Sequence, residues 1–211
     1  MTPSPEQVAP HMARFLDTLD AAFRGYGVPD GLPPRFRDAA TATPRHRFVH
    51  RFRIGDGPLR DNDADPAQNL PDIYSDAAMC HVDAVGDLLP SSNSQPSYVL
   101  FLLHLLSLEQ GQAVLEIGSG SGWLAAIMAH LVGPEGRVVG IELLPDLAAQ
   151  SRADLEALSF ARLSAFSVGR KAQQSTQKMS SCAMKSRASS TGRTVRPKGP
   201  AAVHRSFQTD Q

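Results

Sequence analysis

The sequence predicts an α/β fold with a doubly wound, Rossmann-like parallel sheet that is incomplete, with only its first two or three strands present. Residues 112–118 and 137–143 are short apolar runs with strand character, and each precedes a stretch with helical periodicity. A glycine-rich turn follows the first strand, and Pro145 suits the first turn of the helix after the second. This β-α-β-α order is typical of the start of a doubly wound sheet.

The segments before this unit are predicted mainly as helices and loops. Residues 5–24 carry apolar side chains three and four positions apart, which predicts an amphipathic helix, and a second short helix is expected to stop at Pro44. Residues 55–72 are acidic and rich in turn formers, which predicts a surface loop. Residues 91–97 predict a polar hinge, followed by a buried helix that ends at Gly111.

Composition excludes several classes of protein. The chain has 211 residues, 42% of them hydrophobic and 20% charged, which fits one ordinary soluble domain with appendages. No apolar run approaches the roughly 18 residues of a membrane span, and residues 1–23 lack the pattern of a secretory signal. Cys80 and Cys182 lack metal-ligand spacing, and the acidic run at 61–65 lacks the spacing of a calcium loop. We therefore expect a cytoplasmic monomer with reduced thiols and no metal.

The formal charge of zero hides an abrupt change along the chain. Residues 1–158 hold eleven Arg, no Lys and twenty acids, whereas residues 159–211 hold six Arg, four Lys, one acid and ten Ser. Apart from a possible strand at 162–167, periodicity fades in the second part. The sequence thus predicts a helical, substrate-side region at 1–90, a partial cofactor-binding domain at 91–168 and a disordered basic tail at 169–211. The abruptness indicates a change of reading frame or splice pattern near residues 159–170.

A glycine turn after the first predicted strand is the main candidate for a functional site. Gly118, Gly120 and Gly122 alternate with Ser119 and Ser121. Because glycines carry no side chain, the backbone can turn sharply there and approach a ligand closely. The helix that follows directs its N-terminal amides and positive dipole end into the same space. The sequence therefore predicts a cofactor site at this turn.

Two acids and one tryptophan indicate which cofactor fits the turn. Glu142 ends the neighbouring strand, where a carboxylate can accept both hydroxyls of a ribose, and Glu116 lies two residues before the first glycine. A carboxylate two residues before the first glycine, such as that of Glu116, repels a pyrophosphate but attracts an ammonium group. Gly122 comes one position early for a dinucleotide motif, and Trp123 occupies the third glycine position. We therefore predict S-adenosyl-L-methionine, which has an ammonium, a sulfonium and a ribose but no phosphate, with NAD as the alternative.

Several segments resemble one enzyme family. VLEIGSGSGW at 114–123, followed by RVVGIE at 137–142, resembles the cofactor segment of the protein-L-isoaspartate O-methyltransferases, which are class I methyltransferases. SQP at 94–96 resembles the Ser-Gln/Ala-Pro segment that this family places beside the reacting carboxylate. RFVH at 47–50 and YSD at 74–76 are similar to its N-terminal segment, so the resemblance covers roughly residues 45–158.

The resemblance implies roles for individual residues. Glu116 and residues 118–122 would line the methionine end of the cofactor, Glu142 would hold its ribose, and Ser94 would hydrogen-bond the substrate carboxylate or its backbone. The implied reaction transfers a methyl group from the sulfonium to the carboxylate of isoaspartate in a protein or peptide. SSNSQP at 91–96 also resembles bacterial relatives that methylate aspartate in modified peptides, so a dedicated peptide is a second interpretation. Ser94 is equally suited to cap the helix that begins near Pro96.

The sequence departs from the family pattern after residue 158. The family continues with a Gly-Asp-Gly segment, whose acid contacts the adenine, and with four further strands, whereas this chain has SAFSVGRK there. We therefore expect the chain as written to be weakly active or inactive. Two other functions stay open: a non-catalytic cofactor-binding fragment with a basic, nucleic-acid-binding tail, and an NAD-dependent oxidoreductase. The tail has few aromatic residues among its basic ones, which favours a solvated tail.

Overall fold

The computed structural model describes residues 2–158, which form six α-helices and six strands. In chain order these are α1 (Pro5–Gly25), α2 (Pro34–Ala42), β1 (Arg51–Arg53), β2 (Arg60–Asp61), α3 (Pro66–Ile73), β3 (Met79–Val82), β4 (Leu88–Asn93), α4 (Pro96–Leu106), β5 (Ala113–Ile117), α5 (Trp123–Val132), β6 (Arg137–Ile141) and α6 (Pro145–Ala157). The tail predicted at 169–211, the possible strand at 162–167 and Cys182 lie outside the described residues. Within residues 2–158, no helix has the length and apolar character needed to cross a membrane.

The first two helices confirm the predictions from periodicity. Ser4 and Gln7 form a capping box at the start of α1, in which each side chain accepts a hydrogen bond from the other's backbone N–H. The apolar stripe of α1 includes Phe15, Leu19 and Phe23, all fully buried. The second helix, α2, ends at Ala42, just before Pro44 as expected.

A four-stranded antiparallel sheet, in the order β2-β1-β3-β4, was not predicted. The helices expected within residues 1–90 are present, but the same region also contains most of this sheet. Three of its strands are only two to four residues long, which is too short to show an alternation of apolar and polar residues, and the fourth, β4, contains Pro90 followed by three polar residues. The hinge predicted at 91–97 is shorter than expected, because its first three residues belong to β4.

The prediction that residues 55–72 form a surface loop is wrong where the structure has regular elements, at residues 60–61 and from residue 66 onwards. Strand β2 lies within this segment, and α3 begins at Pro66, where a proline suits the first turn of a helix. Leu70 and Ile73 on α3 are buried in the core. Asn69 also holds the helix in place, because its side-chain amide donates to the backbone oxygens of Asp61 and Asp65. A helix of eight residues that contains two prolines gives little periodic signal in the sequence.

The helix α4 is shorter and more exposed than predicted. It ends at Leu106, where Ser107 adopts a left-handed conformation with φ of 52°, so it does not extend to Gly111. Leu100 and Leu103 are buried, but the opposite face is exposed and carries Leu102, Leu105 and Leu106. The expectation of a helix buried on all sides is therefore wrong.

The predicted β-α-β-α unit is confirmed as β5-α5-β6-α6. The two strands are parallel and in register from Ala113 opposite Arg137 to Ile117 opposite Ile141, and α5 packs against both. Leu115 and Ile117 on β5 are 59% and 80% exposed. Among the described residues, β5 therefore has an uncovered apolar face and an unpaired edge.

Candidate cofactor and substrate site

The glycine turn follows β5 and is attached to the end of β6. The backbone N–H groups of Gly118 and Ser119 both donate to the Ile141 carbonyl, at 2.8 and 3.1 Å. Gly118, Gly120 and Gly122 all have positive φ, between 54° and 82°. These are backbone conformations that side chains with a Cβ disfavour, so the glycine at each position is explained first by the turn itself.

The three glycines differ in what surrounds them. A Cβ at Gly118 would meet nothing within 4 Å, whereas a Cβ at Gly122 would collide with Ser151 of α6. Gly118 therefore faces open space that a ligand can enter, and Gly122 allows the turn to pack closely against α6. A Cβ at Gly120 would make only ordinary contacts, at 3.8–3.9 Å. That all three glycines form one ligand-facing surface stays a prediction.

Glu142 lies at the end of β6 and holds the turn in place. Its side chain is buried, with 5% of its surface exposed. One carboxylate oxygen, Oε1, accepts hydrogen bonds from the backbone N–H groups of Leu143 and Leu144, at 2.7 and 2.9 Å. The other, Oε2, accepts from the Gly120 N–H at 2.8 Å. Because a carboxylate oxygen accepts about two hydrogen bonds, Oε2 retains one position for a ligand hydroxyl.

Glu116, on β5, carries an unsatisfied acceptor. Its Oε2 atom is buried and has no hydrogen-bond partner within the described chain. Burial, and then the negative charge of Glu142, raise the pKa of Glu116 to about 8. A cationic group placed beside Glu116 would satisfy this oxygen and offset the repulsion between the two acids. The acids at this turn therefore fit a ligand with an ammonium group and do not fit a pyrophosphate.

The serines of the turn connect it to the antiparallel sheet. Ser119 and Ser121 are both buried, and Ser119 Oγ has no hydrogen-bond partner among the described residues. The Ser121 hydroxyl donates to Asn93 Oδ1 at 2.6 Å, and Asn93 is the last residue of β4. Ser94 comes next in the chain and is exposed. The Ser121–Asn93 bond thus brings the glycine turn and the loop that carries Ser94 together.

The start of α4 is capped by Asp76 and not by Ser94. Asp76 Oδ1 accepts from the backbone N–H of Ser97 at 2.8 Å, and its Oδ2 accepts from the Ser97 hydroxyl and the Gln95 amide. The capping role considered for Ser94 is therefore wrong, and its hydroxyl makes no hydrogen bond to any of residues 2–158. Asp76 was missed as a structural residue, although it lies in the YSD segment that resembles the family.

Arg45 and Trp123 join the N-terminal region to the start of α5. The Arg45 side chain is fully buried, donates to the carbonyls of Ile73 and Ser75 at 2.9 and 3.0 Å, and lies 5.4 Å from the centre of the Trp123 ring. Burial lowers the pKa of Arg45 to about 10, so it stays charged at neutral pH. The Trp123 indole donates to the Thr43 carbonyl at 3.0 Å. Trp123 is thus a core residue that fixes the helix behind the glycine turn.

His50 connects the N-terminal region to α6. Its Nδ1 lies 2.8 Å from an Asp63 carboxylate oxygen, and its Nε2 lies 2.9 Å from one of Asp154. Burial alone lowers the pKa of His50, but the hydrogen bonds and charges of Asp154 and then Asp63 outweigh it and raise the pKa to about 9. His50 is therefore a cation at neutral pH, held between two carboxylates.

The parallel β5-α5-β6-α6 unit, with a glycine turn and two acids at its strand ends, defines the fold of the class I methyltransferases. The sequence model of one family within this class, Protein-L-isoaspartate(D-aspartate) O-methyltransferase, matches residues 66–177, which is more than half of the chain. The chain belongs to this family, as the resemblance of its motifs predicted.

Individual relatives agree with the family match. The Protein-L-isoaspartate O-methyltransferase of Ignicoccus hospitalis is 48% identical over 67 residues, and Protein-L-isoaspartate O-methyltransferase 2 of Archaeoglobus fulgidus is 45% identical over 67 residues. These segments cover 32% of this chain and 32% and 31% of the two relatives, so the match spans about a third of their length. A solved Protein-L-isoaspartate O-methyltransferase superposes with a TM-score of 0.54 at 26% identity, over 72% of this chain and 41% of that chain. These matches favour the methyltransferase interpretation over the oxidoreductase and nucleic-acid-binding alternatives.

Proposed function

We propose that the protein is an S-adenosyl-L-methionine-dependent O-methyltransferase that acts on the carboxylate of isoaspartyl, or aspartyl, residues in proteins or peptides. The observation that carries this proposal is the Ser121–Asn93 hydrogen bond. It joins a turn suited to a cationic cofactor to the loop that exposes Ser94, so that cofactor and substrate can meet. Membership of the family supports the reaction type.

The chain's own residues would bind the cofactor without a metal or a basic side chain. Glu116 would pair with the ammonium group, because its Oε2 lacks a partner. The open side of Gly118 would allow the cofactor close to the backbone, and Glu142 Oε2 would accept a ribose hydroxyl. The bound cofactor would supply an activated methyl group on its sulfonium.

Ser94 would position the substrate carboxylate. Its exposed hydroxyl can donate a hydrogen bond to the carboxylate or to the neighbouring backbone. A carboxylate is already ionised at neutral pH, so the methyl transfer needs no general base. Correct alignment of the carboxylate oxygen with the methyl carbon would supply most of the rate enhancement. The product is a neutral methyl ester.

We further propose that the activity of the chain as written is weak. Leu115 and Ile117 on β5 are exposed, so residues 2–158, the part that the structure describes, leave one face of the sheet beside the glycine turn uncovered. An alignment that depends on a rigid sheet suffers when one side of that sheet is open. We also propose that the protein is cytoplasmic, which its low cysteine content supports, and that it is a monomer.

The test is methyl transfer by the full chain to matched synthetic peptides. One peptide carries a central isoaspartate and the other a normal aspartate, and the product is counted as alkali-labile label from methyl-labelled S-adenosyl-L-methionine. We expect slow but measurable labelling of the isoaspartyl peptide. Ser94→Ala should lower that rate about tenfold through the lost hydrogen bond, while Ser92→Ala, on the same exposed segment, should not. Absence of label from both peptides, with the cofactor bound, would reject the proposed reaction.

A further inference from the structure

A cleft with a volume of about 490 Å³ separates the antiparallel sheet from α6. Its walls are mainly apolar and include Phe48, Val82, Leu89, Leu144 and Leu147. Of the residues predicted to bind the cofactor, Ser121 alone lines this cleft. The cleft is therefore separate from the predicted cofactor position, although it adjoins the glycine turn.

The cleft begins close to the substrate loop. Ser121 lies at its edge and donates to Asn93, and Asn93 is adjacent to Ser94 in the chain. Ser94, the candidate substrate-binding serine, is thus linked to the lining of the cleft through the Ser121–Asn93 hydrogen bond and the peptide bond that follows Asn93. Ser121 therefore connects the lining of the cleft to the segment that carries Ser94.

His81 adds a polar atom without a partner to the wall of the cleft. It lies on β3, is 5% exposed, and its Nε2 has no hydrogen-bond partner within the described chain. This nitrogen lies 3.9 Å from the position that a Cβ on Gly120 would occupy, so it lies beside the glycine turn. Burial lowers the pKa of His81 to about 4, which leaves the ring neutral. Buried polar atoms are seldom unpaired except where a ligand or water completes them.

The rim of the cleft carries an excess of acids. Two cations line the cleft: His50 is ion-paired with Asp63 and Asp154, which also line it, and Arg51 is ion-paired with Asp61, which does not. Asp83 and Asp146 line it as well, and neither has an ion-pair partner among the described residues, although Asp83 Oδ1 accepts hydrogen bonds from two backbone N–H groups of its own turn. An apolar interior with unpaired carboxylates at the rim is complementary to an apolar side chain followed by a basic one.

We propose that this cleft binds the polypeptide next to the methylated residue, with an apolar side chain between its walls and a lysine or arginine at the rim beside Asp83 and Asp146. This inference rests on the proposed function, because it assumes a peptide substrate at Ser94. It adds to the proposed function a preference for substrates in which an apolar residue and then a lysine or arginine follow the methylated residue.

The experiment measures the dissociation constants of four fluorescent peptides for the full chain, in the presence of S-adenosylhomocysteine. The peptides carry either isoaspartate or aspartate, followed by either Leu-Lys or Ser-Glu. We expect the Leu-Lys peptides to bind about tenfold more tightly, because the leucine is buried and the lysine meets unpaired acids. D146N should weaken binding of the Leu-Lys peptides about two- to threefold. The control D56N removes an equal charge from an exposed turn outside the cleft and should have no effect.

The four peptides separate this inference from the proposed function. Equal binding of Leu-Lys and Ser-Glu peptides, with isoaspartate still preferred, would overturn the cleft and leave the proposed function intact. A preference for Leu-Lys in binding, with no methyl transfer from S-adenosyl-L-methionine to either the isoaspartyl or the aspartyl peptides, would support the proposal about the cleft and count against the proposed function. If D146N and D56N changed the dissociation constants of the Leu-Lys peptides equally, the proposal about the cleft would also be overturned, because the loss of any negative charge on the protein would then explain both changes.

Discussion

Residues 2–93 and residues 113–157 cover their apolar side chains to different extents. In the first region, Phe15 and Phe52 lie fully buried where helices pack around the four-stranded sheet. In the second region, two strands form the parallel sheet, and Ile117 on β5 is 80% exposed. The glycine turn nevertheless lies in a well-bonded setting, because the first region supplies Asn93 and Thr43 to it and to the helix behind it. The turn is thus bonded on two sides, to the end of β6 through Ile141 and Glu142 and to the first region through Asn93.

The largest effect is expected from breaking the junction between the two regions at Arg45. In Arg45→Met, the carbonyls of Ile73 and Ser75 lose a buried charged donor, and the contact with Trp123 changes. We expect the free energy of unfolding, measured by urea denaturation, to fall by about 4 kcal/mol. Arg47→Met, two residues away and outside this network, should change it by less than about 0.5 kcal/mol. Similar losses in both variants would contradict the role given to Arg45.

A second pair of variants compares two glycines of the same turn. Gly122→Ala combines a positive φ with a collision against Ser151 of α6, and should cost about 3 kcal/mol of stability. Gly118→Ala has a similar φ but open space around the new methyl group, and should cost about 1 kcal/mol. Thermal unfolding of both variants measures the difference. A larger loss at Gly118 than at Gly122 would show that the turn packs differently from this description.

The pH dependence of stability tests the link between the two regions at His50. Its folded pKa of about 9 exceeds the ordinary value of 6.5, so proton binding favours the folded state. The contribution is complete below about pH 6.5 and is lost as the pH rises through 9. We expect wild-type stability to fall by about 2 kcal/mol between pH 6 and pH 10 through this group, and His50→Gln to remove that part of the decline. An identical decline in wild type and variant would contradict the link to Asp154.

The smallest change in stability is expected at the exposed leucines of α4. Leu105 and Leu106 on α4 are exposed, as are Leu115 and Ile117 on β5. Exposed apolar patches of this kind bind the dye ANS, so we expect the folded chain to enhance ANS fluorescence. L105E combined with L106E should lower that fluorescence while changing stability by less than about 0.5 kcal/mol. If the double variant enhanced ANS fluorescence as much as the wild type does, the dye would not bind at Leu105 and Leu106, and this prediction would be wrong.

The sequence predicted the second region better than the first, for a physical reason. The apolar runs of β5 and β6 are each followed by a helix of ten or more residues, and the turn between β5 and α5 requires glycine. These signals together allowed β5, α5, β6 and the turn to be located. Strands of two to four residues, such as β1 to β3, leave no such pattern. Their pairing depends on contacts between distant residues, for example Phe52 opposite His81.

Among the site residues, the sequence predicted residue types better than their partners. Glu116 and Glu142 were predicted as cofactor ligands because acids at strand ends beside a glycine turn indicate a ligand, and those roles stay predictions. The three backbone amides that Glu142 binds depend on the fold. Asn93 and His81 were missed, because an isolated amide or imidazole in a short strand carries no motif. The available signal for Asn93 was its place beside Ser94 in the SSNSQP segment at 91–96.

A titration of cofactors against the full chain tests the central claim most directly. Calorimetry with S-adenosyl-L-methionine should show binding, and the affinity should rise as the pH approaches 8, because the pKa of Glu116 is about 8 and only its ionised form pairs with the ammonium group. Glu116→Gln should weaken binding and remove this pH dependence, while NAD should not bind. Binding of NAD, or an affinity for S-adenosyl-L-methionine that Glu116→Gln leaves unchanged, would contradict the account.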